Sequence, residues 1–151
     1  MHLLVADDGE SDRASIPRSI QLVAGRTGQE YNQRKGRKGA FWEDRYHATA
    51  VETDRHLLQC VVYIDLNMVR AGIVAHPLEW IFSGYCEIQE PRRKCALIAY
   101  ERLQELTGFG SYDEFTTVHR SWVEAFLEYG NCVCEGKWIQ SIALGSEGFV
   151  E

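Results

Sequence analysis

No apolar run in the 151 residues approaches the roughly 20 needed to span a bilayer. The opening MHLLVADDGESDR also lacks the basic start and long apolar stretch of a secretory leader. These two absences make a cytoplasmic protein the expectation. No internal repeat and no low-complexity segment occurs, which excludes solenoid and fibrous architectures. Paired cysteine spacing is missing too. The five cysteines stand at 60, 86, 95, 132 and 134, and only Cys132 and Cys134 are close, as C-V-C. A zinc site needs paired C-x-x-C or histidine partners at set spacing, so free thiols in a reducing compartment are expected.

The sequence does hold enough for a core, with 45% hydrophobic and 11% aromatic residues. Its length suits one domain, or a small domain with an appendage. Net charge is −6, which opposes nucleic acid, but the charge is unevenly spread. Residues 1–72 hold ten acidic and ten basic side chains, and 73–151 hold twelve acidic and six basic. Within the neutral part, QRKGRKGAFWEDR (33–45) carries five basic residues against two acidic.

HLLVA (2–6) reads as a short buried strand and DDGESDRAS as a polar turn. SIPRSIQLVAGRTGQEYN (15–32) reads as a helix with Ser15 as N-cap and Pro17 in the first turn, weakened later by Gly25 and Gly28. A basic glycine-flanked loop follows, then AFWEDRYHATAVE (40–52), rich in aromatic and β-branched residues, as a strand or extended segment. A helix is predicted over 54–70. On it His56, Gln59, Tyr63, Asn67 and Arg70 fall within an arc of about 80°. Leu57, Leu58, Val61, Val62, Ile64, Met68 and Val69 lie opposite, and Asp65 interrupts their stripe without an evident cause. Gly72 is a natural stop. AHPLEWIFSGYCEI (75–88) reads as a loop packing aromatics onto a core, and EPRRK (90–94) as a boundary. Beyond it, three helical pieces separated by glycine are expected, with Ser111 and Glu114 as a capping box opening the second.

Chemistry could reside in two places. A tyrosine phenol, with a reference pKa near 10, needs positioning and a polarised phosphate to attack phosphorus. A metal-binding amide oxygen four residues along the same helix face would lie beside it, which is the relation of Asn67 to Tyr63. Histidines at i and i+2 of a strand would add two imidazoles on one face, and His2 is on HLLVA. The alternative is a polar helix edge without chemistry, since helical tyrosines commonly pack with the hydroxyl at the rim. The second place is the basic loop. Its cations suit phosphates and Trp42 suits an unpaired base, although a solvated basic loop has the same composition.

HLLV, IPRSIQ, YNQRKGRKGAFWEDRYHA and LLQCVVYIDLNMVRAGIVAHP, in this order, resemble the single-tyrosine HUH transposases of the REP-associated branch. ERLQELTGF, HRSWVEAFL and SIALGSEGFVE resemble the tail of its longer members, so the likeness covers nearly the whole chain. The tyrosine-helix block is the most specific part.

The resemblance implies an α+β, ferredoxin-like HUH domain over 1–89, lacking its N-terminal strands, and a C-terminal helical region over 90–151. It implies cleavage and rejoining of single-stranded DNA through a 5′-phosphotyrosine on Tyr63. Magnesium or manganese would be held by His2 and Asn67, with Arg34, Lys35, Arg37, Lys38, Trp42 and Arg45 holding DNA. Partners would be hairpin-forming repeats, the protein acting as monomer or homodimer at the nucleoid. The chain departs from the family in several places. The first H-x-H histidine would fall before Met1, Met68 and Ile81 stand where prolines are usual, and AGRTGQE (24–30) lacks a tyrosine. A late start, by mis-assigned codon or gene decay, is the expectation, with little or no cleavage and poor solubility without a partner. An inert hairpin-binding protein is the alternative, and an α+β domain with no DNA role a third.

Overall fold

One helix, α1 (Ser15–Lys35), organises the first of two units, residues 1–47 and 48–151, in the computed structural model. The residues described are 2–7, 9, 12, 14–43, 45–94, 96–129 and 142–150. Ser15 is not the cap. The turn before it is made by Asp12, whose carbonyl receives the Ser15 N–H and whose carboxylate receives the Ala14 N–H. The two glycines also fail to shorten the helix. Gly28 is its one buried residue, and a Cβ there would meet the Cβ of Phe41 at 3.2 Å, so its bareness seats an aromatic ring. The helix ends at Gly36, whose φ of 61° is left-handed. The N–H groups of Gly36 and Arg37 return to the carbonyls of Gln33 and Asn32, a Schellman stop.

HLLVA is not a strand. Residues 2–6 have no regular structure, and Leu3, Leu4 and Val5 are exposed. A strand needs a ladder partner, and none pairs with it among the described residues.

The second unit is mostly helical, with one small parallel sheet. In chain order it contains β1 (Ala50–Val51), α2 (Arg55–Asp65), α3 (Asn67–Arg70), a 3₁₀ turn (Pro77–Glu79), α4 (Gly84–Gln89), α5 (Tyr100–Leu106), α6 (Tyr112–Tyr129), β2 (Ala143–Leu144) and α7 (Glu147–Val150). Of the extended segment expected over 40–52, only Ala50 and Val51 form a strand. Ala50 pairs with Ala143 and Val51 with Leu144. The last of the three expected helical pieces, WIQSIALGSEGFVE (138–151), therefore includes a strand. Its residues 138–141 lie outside those described.

The apolar stripe of α2 behaves as its spacing predicts. Leu58, Val61 and Val62, with Leu66 just beyond, meet Tyr85 and Ile88 of α4 and Phe115 and Val123 of α6. Each such side chain taken from water contributes about 1.5–3 kcal/mol. The core thus joins residues on both sides of 90–94. Glu87 ties down the chain that follows α4: its Oε1 accepts from the N–H groups of Leu97 and Ile98 and the hydroxyl of Tyr100, while Arg92 lies 3.6 Å from Oε2. Ser111 caps α6, its Oγ accepting the Glu114 N–H at 3.2 Å; Glu114 returns to the N–H of Gly110 rather than to that of Ser111. Cys60 and Cys86 are free thiols, and burial pushes Cys60 up to about 11. Cys95, Cys132 and Cys134 lie outside the described residues.

Candidate functional site: Tyr63 and the basic turn

The helix predicted over 54–70 is interrupted at Leu66, where ψ is 0°. Tyr63 stands near the end of α2 and Asn67 opens α3, both half-buried. Arg70 closes the break. Its Nη2 donates to the Tyr63 carbonyl oxygen at 2.7 Å, and its guanidinium carbon lies 3.8 Å from the centre of the Tyr63 ring. A stack this close is worth about 0.5–2 kcal/mol. It fixes the ring from its face while the hydrogen bond fixes its backbone. Arg70 is on the polar arc seen in the sequence, but spacing alone gave it no task.

Asp65, the misplaced acid of the stripe, is buried against an equally buried histidine. Asp65 Oδ2 lies 3.1 Å from His119 Nε2. The proton positions follow from the neighbours. Arg120 Nε donates to Gln89 Oε1, so Gln89 Nε2 is the amide donor, serving Thr116 O and His119 Nδ1. His119 is then protonated on Nε2 and donates to Asp65. Burial pushes the Asp65 carboxyl up; the His119 bond and the Tyr85 N–H oppose it. His119 is also stacked on Phe115 at 5.8 Å. The pair fastens α6 to the residue just before the break that separates Tyr63 from Asn67.

A divalent cation at Tyr63 would draw on Asn67. One neutral amide oxygen does not fit a hard dication, which takes several oxygen ligands. Among the described residues no group of three His, Cys, Asp or Glu side chains is placed to hold a metal. His2 is exposed and belongs to the first unit, whereas Tyr63 and Asn67 belong to the second.

The basic residues form a continuous exposed run in the first unit. Arg34 and Lys35 end α1, and Arg37 and Lys38 follow its left-handed stop. The loop is anchored from both sides: Asn32 Nδ2 donates to Gly39 O at 2.8 Å, and Arg37 Nη2 to Ala40 O at 3.3 Å. Phe41 packs against Tyr31 at 4.7 Å and Trp42 at 4.8 Å. Trp42 is 39% exposed, with its Nε1–H bonded to Ala24 O at 2.9 Å, so its orientation is set while ring surface remains open. Arg45 is exposed two residues after Glu43.

No family model, curated protein or solved structure matches the chain. No helix among the described residues is long and apolar enough to cross a membrane.

Proposed function

We propose that this protein binds single-stranded or hairpin DNA through Arg34, Lys35, Arg37, Lys38, Trp42 and Arg45, and that it derives from a tyrosine transposase. The anchored, exposed basic turn beside a half-exposed tryptophan carries this reading. Its cations suit phosphates, its fixed indole suits a stacked base, and the loop has little freedom left to lose on binding. In this reading residues 1–89 correspond to a ferredoxin-like HUH domain, 90–151 is the appended helical region, and the protein works at the nucleoid as monomer or homodimer.

Tyr63 is the candidate nucleophile for strand cleavage. Its support is the likeness of the YIDLNMVRAG block and the clamp by Arg70. The magnesium or manganese of that family would need ligands beyond Asn67, so binding without cleavage is the primary activity proposed.

Retention of a hairpin oligonucleotide with a single-stranded flank tests the reading. Affinity should fall steeply with salt, and Arg37→Ala with Lys38→Ala should weaken it while Tyr63→Phe does not. Salt-independent retention would reduce the protein to a domain without a DNA role. A covalent adduct formed with manganese, absent in Tyr63→Phe, would restore the cutting enzyme.

A further inference from the structure

Arg70 is a half-buried arginine that no carboxylate among the described residues pairs with. Its recorded partners among the described residues are a neutral carbonyl and a neutral ring, both of Tyr63. The arginines that do have an ion pair among the described residues, Arg18, Arg92 and Arg102, have side chains 74%, 55% and 48% exposed. Of the described arginines Arg70 alone is half-buried, the others being exposed, and none of the ion pairs among the described residues includes it. A guanidinium offers five N–H donors in a planar fork, and the Tyr63 carbonyl uses one. The stack and the carbonyl bond hold that fork in a single orientation, so its remaining donors are fixed before any ligand arrives.

From this we infer that Arg70 is a phosphate-binding residue, taking a non-bridging oxygen of a DNA phosphodiester beside Tyr63. The inference rests on the DNA-binding reading and deepens it. It adds to the basic turn a phosphate contact in the second unit, at the candidate nucleophile. The phosphate is bound and no bond is made or broken, so Arg70 stands as a binding residue and, for any cleavage by Tyr63, a positioning one.

The test uses the full chain with ¹³C-labelled tyrosine, the Tyr63 signal being identified by its loss in Tyr63→Phe. Adding the hairpin oligonucleotide should move the Tyr63 ring resonances, because a phosphate on the guanidinium alters the charge against the ring. Arg70→Gln should abolish that movement and lower the log–log salt slope of binding by about 0.7, one phosphate contact on a single strand. Arg70→Lys should keep the slope. A merely structural role would lower the melting temperature of Arg70→Gln and leave the slope unchanged, which overturns the inference. So does a wild-type Tyr63 signal that stays still while DNA is bound, a measurement that needs no variant should Arg70→Gln not fold. Movement with inorganic phosphate but not with the oligonucleotide overturns the assignment to DNA. Failure of the underlying reading looks different: the wild-type protein then does not retain the oligonucleotide at all.

Discussion

His119 Nε2 and Asp65 Oδ2 meet at 3.1 Å, fully out of solvent, across 54 residues of chain. Neither group can be left alone cheaply. Asp65→Ala strands the His119 N–H and releases the Tyr85 N–H that Asp65 also accepts, and His119→Ala leaves a buried carboxylate short of its donor. Each single change should cost about 3–5 kcal/mol in urea denaturation. Replacing both at once, Asp65→Leu with His119→Phe, should cost less than the sum of those two changes made singly, because neither partner then strands the other and only the Tyr85 N–H stays released. Additive losses would show that the pair is not one unit.

Acid should loosen the 90–99 segment through Glu87. Burial pushes this carboxyl up, but the Ile98 and Leu97 N–H groups, the Tyr100 hydroxyl and Arg92 more than reverse it, leaving it below the ordinary 4.5. The native state therefore holds the charged form more strongly than the unfolded chain does. Stability from this group is present above 4.5 and is lost as pH falls through the depressed native value. Glu87→Gln should be less stable at neutral pH and show a flatter urea midpoint between pH 5 and pH 3, about the range in which carboxylates titrate.

The two glycines of α1 should respond in opposite ways. Nothing lies within 4 Å of a Cβ at Gly25, so Gly25→Ala should stabilise the helix by about 1 kcal/mol. At Gly28 a leucine would displace Phe41. Gly28→Leu should lower the melting temperature and weaken oligonucleotide retention, because the loop holding Arg37 and Trp42 loses its seat. Equal melting temperatures for the two variants would remove the structural role given to Gly28.

The clasp at Glu52 should be separable from the core. Ser146 gives its backbone N–H and its hydroxyl to the Glu52 carboxylate, and these two bonds hold that half-buried carboxyl below its ordinary value. Ser146→Ala should speed hydrogen exchange at the Ala50 and Glu52 amides, which bond to Ile142 and Leu144 carbonyls, and leave exchange in α2 unchanged. Faster exchange throughout α2 would show that the clasp supports the core itself.

Local signals in the sequence carried the elements whose determinants are local. The 3.6-residue period of Leu58, Val61 and Val62 marks the buried face of α2, and Ser111 with Glu114 marks the start of α6. Partners distant in sequence were illegible. Asp65 looked like an error in the stripe because its justification lies on α6. An acid within an apolar face is itself a demand for a buried donor, and a histidine on another amphipathic helix was the signal available. Strands of two residues carry no period, so β2 was hidden in a stretch that reads as helix. HLLVA carried a strand's composition but not the neighbour a strand requires. At the candidate site, spacing placed Tyr63, Asn67 and Arg70 on one edge. The break at Leu66, which turns Arg70 back onto Tyr63, has no local sequence mark.

The parallel pair of β1 and β2 joins stretches of chain about 90 residues apart; Glu52 and Ser146 are separated by 94. Closing so long a loop costs entropy before any contact compensates it, and a two-residue ladder offers few contacts in return. The ladder therefore cannot nucleate folding. It is expected to assemble after α2, α4 and α6 have condensed and brought its two ends within reach, and to open before they do on unfolding. The small sheet can thus open while the helical core stays closed, so its pairing reports on the ends it joins and not on the core.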